Sequence, residues 1–266
     1  MRISAFLLTS LLLSHSLNAD LIVPQTAAAR ILVPAAGNAA GANGTFFRSD
    51  IQVVNLRNAE QRVRMFWLPQ GSSGAAIAAR SVDIGALSGI GSEDFVASVM
   101  LQSGVGGIEF VGVTETGQFD QNARLHVTSR IWTPRPDGGS GTMSQTFPAL
   151  IMPGSTARVK TAFGLRHSSQ YRVNVGITNP SDTVHLFRVS AFSVTEVGQE
   201  NPQFEVTVQP RSIEQRVVNG LIGNGTVQVL IENLTEGTAT DWQGWASSID
   251  NQSGDAWSQI AFPASQ

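Results

Sequence analysis

A chain of 266 residues with no cysteine, 14% charged and 7% aromatic residues and a formal charge of −3 is long enough for two apolar cores, neither of them stapled by a disulfide. Its one lysine, Lys160, and the lack of any basic run leave binding to nucleic acid or to an anionic membrane without support. Gly, Ser, Thr, Val and Asn are abundant, which suits short strands and turns better than helices.

In chain order, Met1-Arg2, the apolar run from Ala5 to Leu13 and Ser16-Leu-Asn-Ala19 read as the three parts of a secretory signal peptide. Residues 1–19 are expected to be removed on export to the periplasm or to the extracellular side and cell surface. The run is too short to span a bilayer, so no membrane insertion is expected after cleavage.

The rest is written twice. Ile31-Leu-Val-Pro34 returns as Leu150-Ile-Met-Pro153, and Asp50-Ile-Gln-Val-Val-Asn-Leu-Arg-Asn58 as Tyr171-Arg-Val-Asn-Val-Gly-Ile-Thr-Asn179. Gly107-Ile-Glu-Phe-Val111 returns as Gly225-Thr-Val-Gln-Val229, Thr128-Ser-Arg-Ile131 as Ala246-Ser-Ser-Ile249, and Phe147-Pro-Ala149 as Phe262-Pro-Ala264. Ordered matches at a nearly constant offset, far longer than a solenoid repeat, predict an internal duplication into modules over 20–149 and 150–266.

Within a module the first strand signal is Val173, Val175 and Ile177 alternating with Arg172, Asn174 and Gly176, aligned with Gln52, Val54 and Leu56. A turn follows at Arg57-Asn-Ala-Glu60 or Thr178-Asn-Pro-Ser-Asp182, then a strand over 63–68 or 184–192. Phe204-Glu-Val-Thr-Val-Gln209 alternates without a fault. One short helix per module is expected, from Phe95, Val96, Val99 and Met100 behind a Ser92 cap, and from Ile213, Val217 and Leu221 spaced by four. A closing hairpin aligns Leu125, Val127, Ser129 and Ile131 with Gln243, Trp245, Ser247 and Ile249. About seven strands per module predict an all-β fold of two tandem immunoglobulin-like antiparallel β-sandwiches, with a small barrel as the alternative. Phe147-Pro-Ala-Leu-Ile-Met-Pro153 has no flexible spacer, and a packed junction is expected there.

Chemistry-bearing patterns are few. His126, His167 and His185 form no metal-spaced pair, and neither a nucleophile elbow nor a phosphate loop is present; no catalytic residue and no cofactor is assigned. Asp250-Asn-Gln-Ser-Gly-Asp255 offers Asp250 and Asp255 as weak calcium ligands, but a hairpin turn accounts for the same residues. Strict alternation along the closing hairpin turns Trp245, Ile249, Ile260 and Phe262 inward and Trp242 and Trp257 outward. On the matching face of the first module Arg130 and Trp132 point out. Trp242, Trp257, Trp132 and Arg130 are therefore the candidate ligand-binding residues, since an exposed indole stacks on a sugar or anchors a protein.

Tyr171-Arg-Val-Asn-Val-Gly-Ile-Thr-Asn-Pro-Ser-Asp182 and Ala246-Ser-Ser-Ile-Asp-Asn-Gln-Ser-Gly-Asp255 resemble tandem β-sandwich modules of uncharacterised exported bacterial proteins. The first copy departs from that pattern at Asn55-Leu-Arg-Asn58, which lacks the proline. The resemblance implies a bacterial source and a non-catalytic role. The expected function is a secreted structural or adhesive protein that meets a protein or glycan partner at a surface. The alternatives are a carbohydrate-binding protein using exposed Trp242 and Trp257 of the second module and, third, a hydrolase with its site at the module junction.

Overall fold

The computed structural model describes residues 27–41, 44–135, 138–194, 202–220, 224–236 and 241–264. The expected signal peptide and Leu221 lie outside them. The first half contains β1 (Arg30–Ala40), β2 (Phe46–Asn55), β3 (Gln61–Pro69), β4 (Arg80–Ile84), β5 (Gly89–Ser92), the short helix α1 (Phe95–Ser98), β6 (Gly104–Val113), β7 (Leu125–Pro134), β8 (Thr142–Thr146) and β9 (Leu150–Ile151). The second contains β10 (Val159–His167), β11 (Tyr171–Asn179), β12 (His185–Ser193), β13 (Gln203–Val208), β14 (Ser212–Val217), β15 (Gly225–Asn233), β16 (Gln243–Asp250), β17 (Ala256–Ile260) and β18 (Phe262–Pro263). The described residues are thus nearly all β, in three antiparallel sheets.

Two layers of strands enclose an apolar core in each half. In the second half the layers are β13-β12-β15-β10-β18 and β14-β11-β16-β17. In the first, β4-β3-β6-β1-β9 faces β5-β2-β7-β8, and pairing of Ala39 with Phe47 and Ala40 with Phe46 joins them into one nine-stranded sheet. β13 shows why such strands form: Val206 and Val208 are buried against the core while Glu205 and Thr207 are exposed, the two-residue period of a half-buried strand. Leu150–Ile151, read from the sequence as opening the second module, instead adds to β1 opposite Leu32 and Ile31, as β18 adds to β10.

A buried asparagine ends β2 and β11 in the same way. The Asn55 side-chain nitrogen lies 2.7, 3.1 and 3.0 Å from the carbonyls of Ala59, Ile84 and Gly85, and its oxygen accepts from the Arg57 backbone at 2.9 Å. Asn179 repeats this with Thr183, Val208 and Gln209 at 2.8, 3.4 and 3.0 Å, and with the Ser181 backbone at 3.0 Å. These asparagines place Ile51 and Val53 at the positions of Val175 and Ile177, all buried. The core face of β2 is therefore Ile51, Val53 and Asn55, not the aligned Gln52, Val54 and Leu56; a slip of an odd number of residues turns a strand over.

Two further expectations change. α1 is present, but Asp94 precedes it without a side-chain cap bond, while the Ser92 hydroxyl accepts from the Asp94 backbone at 3.1 Å. The second expected helix is strand β14, paired with β11 from Ser212 opposite Asn179 to Val217 opposite Asn174. A spacing of four is also two strand periods, so Ile213 and Val217 fit either element.

The two halves are packed together. β1 buries Ile31, Val33 and Ala36 in the first core, while Leu32 meets Leu68, Met152 and Ile213, and Ala35 meets Phe147 and Trp245. Backbone bonds also cross the junction, from Gly71 to Ile213 at 3.1 Å and from Gly74 to Pro210 at 3.1 Å. Arg211 reaches from the second half to Glu109 of the first at 3.8 Å, stacks its guanidinium 4.8 Å from the centre of the Phe66 ring and donates to Asp182 at 2.5 Å. Glu109 also accepts from Arg30. Burial of Glu109 pushes its carboxyl above the usual range, with Arg30 and Arg211 opposing that shift.

Candidate functional site

The outer face of β11 and β16 is where the halves meet. Pairing of Gly176 with Trp245, Asn174 with Ser247 and Arg172 with Ile249 lays those side chains in rows on one face. This face lies against β1, β2, β7 and β8 of the first half. A cleft of about 310 Å³ remains between them. Its first wall is Ala35, Ala36, Gly37, Phe47, Ile131 and Phe147; the second is Asn174, Trp245, Ser247 and Ile249. Met143, Ser144 and Gln145 of the edge strand β8 stand at its side.

Local geometry holds the cleft open. The Thr178 hydroxyl donates to Pro34 at 2.8 Å, Gln145 donates to Ser247 at 2.5 Å, and Ser258 donates to the Thr146 carbonyl at 2.8 Å. Phe147 meets the Trp245 ring edge-on, with centroids 4.9 Å apart. A Cβ at Gly176 would lie 2.0 Å from the Trp245 ring, so only glycine lets the indole lie across β11. Two polar atoms here are buried and unpaired: the Asn174 side-chain oxygen and Trp245 Nε1. The charged groups at the rim have neutral hydrogen-bond partners. Arg172 donates to Asn251 at 2.9 Å, and Asp250 accepts from the Gln252 and Ser253 backbones at 2.7 and 2.9 Å and from Gln170 at 2.9 Å. The Ser253 backbone bond, ahead of Gln170, holds the Asp250 carboxyl below the usual range.

The residues singled out in the sequence are not brought together. Trp242, expected outward, is buried in the second core, where its ring packs 5.0 Å from Phe187 and its Nε1 donates to Ala157 at 3.1 Å. The cause is register and strand length: β16 starts at Gln243, and its core face is Gly244, Ala246 and Ser248. Trp245, expected in that core, faces the other half. Ile249 and Ile260 lie on the junction side with it, and Phe262, also expected inside, is 52% exposed. Trp257 stands half-buried on β17, its ring 5.6 Å from Tyr171. Trp132 is on the outer face of the first half, donating to the Glu93 carbonyl at 2.8 Å with Arg48 5.5 Å over its ring, and Arg130 pairs with Asp50 at 3.2 Å. Asp250 and Asp255 close the hairpin through the Asp250 backbone at 2.8 Å, and among the described residues no three His, Cys, Asp or Glu side chains group around a metal-sized space.

Two residues stand out that composition and motif do not reveal. Lys160 is buried, donates to the Trp242 carbonyl and lies 4.4 Å over the Trp242 ring; burial drops its ammonium to about 8 against the pull of Asp241. His185, which reads as a surface residue on its strand, is buried beside Asn233, and burial lowers its imidazole. Asn174 was legible only as a polar residue alternating with Val173 and Val175, which reads as a solvent face until the other half covers it.

No family model matches the chain, and no curated protein matches it. Among solved structures, one described as Crystal Structure of Thermotoga maritima 1070 is similar over 42% of this chain and 97% of that one, at 14% identity and a TM-score of 0.34. A likeness this low carries no argument about what the chain does.

Proposed function

We propose that the chain is an exported, non-enzymatic interaction protein made of two immunoglobulin-like sandwiches related by internal duplication and locked into one body. The repeated strand order and the matched asparagines Asn55 and Asn179 support the duplication. The leader-like residues 1–19 support export. The interaction role rests on one observation: Phe163 and Phe262 stand 60% and 52% exposed on the neighbouring strands β10 and β18, on the open face of the second half. Aromatic residues side by side on an open sheet face supply an anchor for a surface partner. Labelled protein should be retained on bacterial envelope, and Phe163→Ser with Phe262→Ser should cut retention at least about fivefold while moving the melting temperature little. Retention unaffected by the double substitution would remove this face from the proposal.

A further inference from the structure

We infer that a second copy of this chain docks head to tail on the second half, the turn tip around Leu87 of one copy seating on the β12-β15-β10-β18 face around Leu230 and Phe163 of the other. This names the partner of the Phe163 and Phe262 face, and it rests on the reading of that face as an anchor. The contact made inside the chain has a corresponding pair of surfaces left uncovered, one on each half.

Backbone geometry fixes which positions correspond. The Leu87 N–H donates to the Arg57 carbonyl and the Arg211 N–H to the Ser181 carbonyl, each at 2.9 Å, and both residues have positive φ, 50° and 47°. Arg57 and Ser181 each donate to one of the matched asparagines, Asn55 and Asn179. Leu87 is thus the first-half equivalent of Arg211. On the receiving side β1 and β10 share a register shift, between Val33 and Ala36 and between Ala162 and Leu165. Just before it, Leu32 pairs with Glu109 and Leu150, while Thr161 pairs with Leu230 and Phe262. Leu230 and Phe262 therefore hold the places of Glu109 and Leu150, and Phe163 holds that of Pro34.

Inside the chain the second half's tip is seated on the first half's face. Arg211 reaches Glu109 at 3.8 Å, Thr178 donates to the Pro34 carbonyl, and Glu109 is buried. The equivalent tip and the equivalent face are open. Leu87 is 66% exposed, Leu56 on the neighbouring turn is exposed, and so are Phe163 and Phe262. Leu230 is half-buried on the outward row of β15, because Val227, Val229 and Ile231 fill the core. The chemistry has changed on both sides at once: a cation faces a carboxylate inside the chain, and leucine answers leucine on the two free surfaces. A change on one side alone would set a charge against an apolar surface, with its cost in desolvation. Changed together, the free tip and the free face match each other. They are different surfaces and every copy offers both, so the contact is heterologous and passes from copy to copy.

The test is sedimentation velocity of the purified chain at concentrations up to about 100 μM, where species heavier than the monomer should grow with concentration. Leu87→Arg and Leu230→Glu should each weaken association at least about tenfold. An equimolar mixture of the two variants should restore it, now sensitive to salt, because the mixture rebuilds the Arg211–Glu109 pair between copies. Melting temperatures separate loss of contact from loss of fold; where Leu230→Glu does not fold, Phe163→Glu, on the exposed bulge of β10, takes its place in the same mixture. The inference is overturned if the parent chain stays monomeric throughout the range, if Leu87→Arg associates as the parent does, or if the mixture associates no better than its components. A monomeric chain whose retention on envelope still falls with Phe163→Ser and Phe262→Ser would sink self-docking and leave the anchoring face in place. Association that follows Leu87 and Leu230 while envelope retention ignores the Phe163 and Phe262 pair would instead uphold self-docking and remove the envelope as that face's partner.

Discussion

Lys160 shows what one buried charge does to this fold. Its folded pKa of about 8 lies below the ordinary 10.5, so the unfolded chain binds more protons between those values and stability must rise with pH across that window. Unfolding free energy should climb by on the order of 3 kcal/mol from pH 8 to 10.5, and the climb should vanish in Lys160→Met, as followed by denaturant melts. Asn55 and Asn179 make a second prediction. Each collects three backbone carbonyls in the interior, and Asn→Ala at either should cost about 3 kcal/mol by leaving them unpaired. Asn→Asp should cost more, because a carboxylate would then face the same oxygens; equal losses for Ala and Asp would show that the amide does not donate there. At this scale the sequence was readable in part: Asn179 lies in a turn signature, whereas nothing about Lys160 in a list of residues announces its burial.

Strand existence was largely legible and strand facing was not. The alternation at Phe204, Val206 and Val208 needed no tertiary help. β16 defeated the same argument, because its rows Trp245, Ser247, Ile249 and Gly244, Ala246, Ser248 are both covered, one by the first half and one by its own core. With both faces packed, polarity no longer tells in from out. β14 failed differently, through a spacing shared by two periods. Its strand geometry sends Ile213 into the junction with Leu32, Leu68 and Met152 while Val217 is exposed. Ile213→Ala should therefore cost about 2 to 5 kcal/mol and Val217→Ala under about 1 kcal/mol in thermal or denaturant unfolding. Comparable costs would place Val217 in a core that β14 does not give it. The edge strands β8 and β17 lie against each other, joined by Ser258 and Thr146, so two sheet edges that would invite aggregation are mutually covered.

For the whole molecule the junction is the deciding feature. Leu32 packed with Ile213 and Met152, Ala35 packed with Phe147 and Trp245, and Arg211 reaching Glu109 bind the halves by apolar and ionic contacts together. Trp242→Ala and Trp245→Ala should each cost about 3 to 5 kcal/mol through the cavity left behind. Only the second should separate the halves, splitting one unfolding transition into two and letting the halves tumble independently in relaxation measurements. A single transition in both variants would show that the apolar contacts of Leu32 and Ile213 suffice to hold the junction. Removing Arg30 should also be severe, about 3 to 5 kcal/mol, since buried Glu109 loses its closest cation, and Glu109→Gln in the same chain should return much of that loss.

The sequence by itself determined the β class, the turns and the recurrence of segments, because period-two patterning and turn chemistry are local and each is written within a few residues. It also supplied the packed character of the linking segment, since Phe147 to Pro153 has no room for a flexible spacer. Only the tertiary structure decided which face of β2 and β16 is core, that Leu150–Ile151 completes the first half, and that Asn174 and Trp245 share a cleft. Those outcomes depend on register between strands distant in the chain and on one half covering the polar face of the other. A single strand carries no record of the surface that will be laid against it.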